Sequence, residues 1–120
     1  MGIPTKKVHS NEHYSEAFKM YTSTTNGNYR IQYHRFEDDS PLHFLIRTIP
    51  HIAIQVENLA SEIEGEELLL GPYEPIPGYK VAIINDDGVP VELVETFLSP
   101  DELWDRADRQ SDLNTEGLEL

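Results

Sequence analysis

The chain has 120 residues, with 22 acidic side chains against 9 basic ones and a net charge of −13, a length that fits one domain with one shared core. That charge repels phosphate backbones and anionic lipid, so no nucleic acid and no membrane surface is expected as a partner. There is no cysteine for disulfides or thiolate chemistry, no apolar run near the roughly 18 residues of a membrane helix and no apolar signal core in MGIPTKKVHS, so the expectation is a soluble cytoplasmic protein.

In chain order, GIPT reads as a short leading strand and KKVHSNEHYS as a loop. EAFKMYTST and NYRIQYHRF read as two strands joined through Thr25, Asn26 and Gly27, turn residues that suit a hairpin. If Ile31 and Tyr33 of the second strand face a core, Gln32 and His34 point the other way. DDSPLHFLIRTIP then links the two halves of the chain, with Asp39, Ser40 and Pro41 as punctuation and an apolar or helical segment over Leu42 to Ile46. PHIAIQVENL alternates from His51 to Val56: Ile52, Ile54 and Val56 share the face expected to be apolar, and His51, Ala53 and Gln55 share the other.

NLASEIEG fits a short helix, with Asn58 as cap, Leu59 and Ile63 one turn apart and Gly65 as the left-handed stop. ELLLGPYEPIPGY gives a brief apolar strand and then a Pro and Gly loop over Gly71 to Gly78, bracketed by Tyr73 and Tyr79 and placed to border a pocket mouth. KVAIINDDGVPVELVETF closes the region as a hairpin, Lys80 to Ile84 and Val91 to Phe97 around Asn85 to Gly88. SPDE, residues 99–102, has capping-box spacing, which predicts a helix over about 99–110 and a disordered acidic tail over 111–120.

Period-two arithmetic brings chemistry together in the second half. With Val91 and Leu93 packed on Leu59 and Ile63, Glu92 falls on the opposite face with Val94, the face that also holds His51. Glu95 has the other parity and reads as a surface residue. An imidazole and a carboxylate are natural ligands for zinc, nickel, manganese or iron, and Gln32 can add an amide oxygen as a third metal ligand. A lone strand histidine is more often a satisfied structural residue, and the shared parity with Glu92 is what favours the ligand role. His34 is an alternative ligand, or a general base. His9, His13 and His43 fall in loop-like context and read as solvent residues.

PHIAIQVENL and LLLGPYEPIPGYKVAIINDDGVPVELVET, in that order, resemble the second module of the vicinal oxygen chelate superfamily, the glyoxalase, dioxygenase and bleomycin-resistance fold; the first half resembles it only through GIPT and YRIQYHRFE. The resemblance implies an α+β fold of two βαβββ-type modules, about 1–47 and 49–98, forming one curved mixed sheet around a cup. The first module lacks its helix. It also implies a divalent metal held from the first and last strands of each module, here by His51 and Glu92, with Gln32 from the first module. Aligning HIAI with the chain start places Gly2 opposite Ala53, so the counterpart of His51 would precede Met1.

Two functions follow as expectations. One is a metal-dependent isomerase, lyase or dioxygenase acting on a substrate with adjacent oxygens, with Glu92 and His34 as catalytic groups and Gln32, Gln55, Tyr73 and Tyr79 as substrate contacts. The other is a non-catalytic protein that binds or sequesters a small molecule in the same cup. Open strand edges favour a homodimer.

Overall fold

The computed structural model describes residues 1–25, 30–99 and 101–102. Eight strands and two short helices follow one another as β1 (Gly2–Pro4), β2 (His13–Ser15), β3 (Met20–Thr24), β4 (Gln32–Phe36), α1 (Phe44–Thr48), β5 (Ile52–Gln55), α2 (Leu59–Glu62), β6 (Glu67–Ile76), β7 (Tyr79–Asp86) and β8 (Val89–Thr96). The chain is thus α+β and mostly strand. Its strands form two four-stranded mixed sheets of identical order, β1-β4-β3-β2 and β5-β8-β7-β6. In each, the first strand runs parallel to the last, and the other pairs are antiparallel. No described helix is long and apolar enough to cross a membrane.

The sheets meet at one antiparallel bridge. Gly2 N–H donates to the His51 carbonyl at 2.8 Å and His51 N–H donates to the Gly2 carbonyl at 2.9 Å. The first core cluster lies between the sheets, where Phe18 and Met20 from the first half meet Leu42 and Ile46 and, from the second sheet, Leu70 and Ile83. Ile46 is the buried residue of α1, and Leu42, just before the helix, packs into the same core. The second cluster lies on the other face of the second sheet, where Leu59 of α2, with Ile63 beside it, packs on Ala82, Ile84 and Leu93. Strand alternation explains both: Ile83 points one way along β7, and Ala82 and Ile84 the other.

The local chemistry of α2 follows the sequence. Asn58 Oδ1 accepts from Ser61 N–H at 3.1 Å, and Gly65, at φ +80°, ends the segment in the left-handed region. The last hairpin turns on Asp87 and Gly88, at φ +53° and +88°. Asp86 pairs with Val89, so the loop has two residues of the kind that twists with its strands. At the C-terminal end, Ser99 Oγ accepts from Glu102 N–H at 3.1 Å, as the capping box predicts. The Asn26 and Gly27 turn, the remainder of the helix expected over 99–110 and the acidic tail lie outside the described residues.

Several expectations are corrected. The segment from Gly71 to Ile76 is strand, because β6 keeps pairing with β7 through register shifts between Leu70 and Tyr73 and between Tyr73 and Ile76; such bulges let a strand accommodate its prolines. Only Pro77 and Gly78 remain as the turn before β7. Ile52 and Ile54 are 46% and 45% exposed, since α2 covers β7 and β8 and leaves β5 bare at the sheet edge. HYS forms β2 where a loop is expected, and Glu16 to Lys19 lie in the turn before β3.

Candidate functional site

Strand alternation turns polar side chains into a cavity of about 410 Å³ between the sheets. Gln32 and His34 reach it from β4, Gln55 from β5, and Glu92 from β8, and His51 joins them at the bridge. These are the parities expected from sequence. Tyr73 and Tyr79 also line it, from β6 and β7. The walls between these groups are apolar, with Phe18, Met20, Leu70, Ile76, Ile83 and Val94 among them.

His51 and Glu92 form an ionisable pair in the site. His51 Nε2 stands 3.6 Å from Glu92 Oε2, longer than a hydrogen bond. Among the described residues the Glu92 carboxylate has no hydrogen-bond partner, and its side chain is 20% exposed. His51 Nδ1 is buried without a hydrogen-bond partner. The imidazole is held by what lies beneath it: a Cβ added to Gly2 would come within 2.1 Å of His51 Cε1 and 2.6 Å of Nε2. Only glycine leaves room for this ring at the sheet junction.

His34 stacks on His51, ring centroids 5.9 Å apart and planes 17° apart, and its Nδ1 shares a hydrogen bond of 2.9 Å with Thr22 Oγ1. Burial, then the charge His51 can carry and that of the Met1 amino group, push the His34 pKa from 6.5 down to about 3. It is therefore a neutral imidazole at neutral pH. Burial also pushes the Tyr73 hydroxyl well above its ordinary range, with Glu92 adding to the shift. Tyr79 moves the same way for the same two reasons, with a further push from Tyr73. Both tyrosines are thus neutral donors facing a carboxylate. Tyr73 packs edge-on against Phe18 at 5.8 Å, and Gln55 Nε2 donates to the Thr96 carbonyl at 3.2 Å.

The ladders correct the correspondence between the halves. An antiparallel bridge is its own image under a half turn, so Gly2 and His51 are counterparts. Two residues further on, Pro4 pairs with His34 and Ala53 pairs with Glu92. The place that Glu92 holds in the second sheet is therefore held in the first by His34, and Gln32 lies one inward step away. The counterpart of His51 is Gly2, inside the chain.

Taken as a metal shell, these groups have one edge of suitable length. Two ligands about 2.1 Å from a tetrahedral ion stand about 3.4 Å apart, close to the 3.6 Å between His51 Nε2 and Glu92 Oε2. That pair could form one edge of a shell. The third donor does not follow, because imidazole lone pairs lie in the ring plane and the near-parallel rings of His34 and His51 do not aim theirs at one point. Among the described residues no group of three or more His, Cys, Asp or Glu side chains is placed to hold an ion. The His51 and Glu92 pair offers one edge of a shell, and Gln32, the third ligand expected, lines the same cavity.

His9, His13 and Glu95 differ from expectation, whereas His43 is exposed as expected. His13 lines the cavity from β2. His9 stacks on Tyr33 at 5.0 Å with its Nδ1 buried, and His43 Nδ1 caps α1 by accepting from Leu45 N–H at 3.1 Å. Glu95 Oε1 accepts from Leu59 N–H at 3.0 Å at the start of α2 and lies 3.7 Å from Lys80. The signal for His13 was the inward parity of HYS, invisible while that segment read as loop. Comparison of the chain with family models, with curated proteins and with solved structures finds no match.

Proposed function

We propose that the protein binds a small organic molecule between its sheets, as a non-catalytic relative of the glyoxalase-like, vicinal oxygen chelate fold. The observation that carries the reading is the cavity itself: about 410 Å³, apolar along its walls, with His51, Glu92, Tyr73 and Tyr79 converging from different strands. That volume and lining are those of a ligand site, with a few polar groups to orient the molecule. The shared sheet order and parallel first-to-last pairing support the fold assignment. The test is amide chemical-shift mapping with a fragment panel spanning neutral, cationic and anionic heads. Binders should move amides of β4, β7 and β8, and the Tyr73→Phe/Tyr79→Phe double variant should weaken them several-fold, about one hydrogen bond's worth per hydroxyl. Shifts confined to the outer faces of the sheets would remove the cavity from consideration.

A second reading, metal-dependent chemistry on a substrate with adjacent oxygens, draws on the 3.6 Å edge between His51 and Glu92. His34 is a poor general base for it, because an imidazole with a pKa of about 3 has little drive to take a proton at neutral pH. Titration with Zn²⁺, Ni²⁺, Mn²⁺ and Fe²⁺ separates the readings. Micromolar binding that His51→Ala and Glu92→Ala each weaken about 10-fold or more, at least the loss typical of a supporting residue, would favour the metal. Binding that ignores both substitutions would discard it.

A further inference from the structure

We infer that the ligand of this cavity is a protonated amine on an apolar body, its ammonium seated against Glu92. The inference deepens the binding reading above and rests on it.

Three observations point the same way. Glu92 is a four-fifths buried carboxylate in the lining of a mostly apolar cavity, and its ion-pair partner, His51 Nε2, stands beyond hydrogen-bond length at 3.6 Å. A buried carboxylate is costly unless donors or a cation meet it, and its free oxygens turn towards the space a ligand would fill. Of the other groups lining that space, His34 is neutral, because burial holds its pKa near 3, the tyrosines are neutral donors, Arg30 is paired with Asp101 at 2.6 Å, and His51 stops 3.6 Å short of the carboxylate. The second observation is the wall. Tyr73 and Tyr79 line the cavity with Glu92, and Phe18 stands edge-on to Tyr73. Aromatic faces beside a carboxylate attract an ammonium through the ring quadrupole and suit the carbon body behind it.

The third is the whole chain, whose net charge of −13 concentrates cations at its surface and speeds their encounter with an inward-facing acid. An anionic head would oppose that field and meet Glu92 with like charge. A neutral hydroxyl could donate one hydrogen bond but would leave the carboxylate's charge uncompensated.

Three probes share an indole body and differ in the head: tryptamine carries an ammonium, tryptophol a hydroxyl and indolepropionate a carboxylate. Affinities are measured by titration calorimetry on the full chain at neutral pH and low salt, for the native protein and for Glu92→Gln, whose thermal transition reports that it folds. Native protein should bind tryptamine at least about tenfold tighter than tryptophol, with indolepropionate weakest, and Glu92→Gln should bring the tryptamine to tryptophol ratio close to one. Tryptophol or indolepropionate binding as tightly as tryptamine overturns the amine assignment and leaves the cavity reading standing. An amine preference that survives Glu92→Gln overturns the role of Glu92. Failure of all three probes overturns the amine assignment, whereas the cavity reading falls only if the wider fragment panel also fails.

Discussion

Gly2 has no side chain, and the imidazole of His51 lies where one would go. This single contact sets the aim of the histidine at Glu92, because a ring 9% exposed at a sheet junction has few other rotamers open to it. Gly2→Ala should therefore displace His51, at a stability loss of about 1 to 3 kcal/mol typical of overpacking. Histidine ring signals in NMR should shift for His51 and for its stacking neighbour His34 together. A variant whose His51 signals and thermal transition match the native protein would show that the ring is not positioned by Gly2. The inward aim of His51, Glu92, Gln32, His34 and Gln55 was legible from alternation, since parity needs only a correct strand assignment. The role of Gly2 was not, because a glycine near a chain start carries no sign of the ring that will lie over it.

Among the elements, β5 is the exposed one. Val56 N–H donates to the Val94 carbonyl at 2.7 Å, so the even-numbered residues of β5 turn their amides to β8. His51, with the opposite parity, turns its amide to Gly2, and the amides of Ala53 and Gln55 point along the same edge past the end of that bridge. With Ile52 and Ile54 bare on the outer face, this is the kind of edge that pairs with another strand. We propose that two copies of the chain pair there as a homodimer. Light scattering should give a mass of two chains at tens of micromolar. Ala53→Pro, which deletes an outward amide without touching the β8 ladder, should shift the equilibrium to monomer; a native protein that is monomeric at high micromolar concentration would rule the dimer out. The apolar alternation of this strand was read correctly and its burial was not, because period two shows that residues share a face but not whether anything covers it. The same gap explains β6, where Gly71, Pro72 and Pro75 punctuate the sequence like a loop while bulges keep the strand paired.

At the scale of the molecule, the second half was easier to read than the first. Its strands β7 and β8 are eight residues each, long enough for alternation to stand out, whereas β1 and β2 have three residues each, too few to carry a period. The missing helix of the first half was legible as an absence of amphipathic pattern in KKVHSNEHYS; the way His9 stacks there on Tyr33 was not, since ring stacking leaves no spacing rule in the sequence. The correspondence of the halves came out of register by two residues for a related reason. It needed the bridge between Gly2 and His51, a contact 49 residues apart in the chain.

That bridge also joins two halves that are each complete in their strand pairing. Every strand pairing of the first sheet closes within residues 2–36 and every one of the second within 52–96, so neither sheet waits on the other for its hydrogen bonds. Loop closure within one half is entropically cheaper than closure across the whole chain, and the two sheets can form as separate events. At their meeting the amides of Gly2 and His51 bond to each other's carbonyls and Phe18 and Met20 close over Leu70 and Ile83. The cavity is lined from both sheets, so the ability to bind belongs to their meeting and to neither sheet alone.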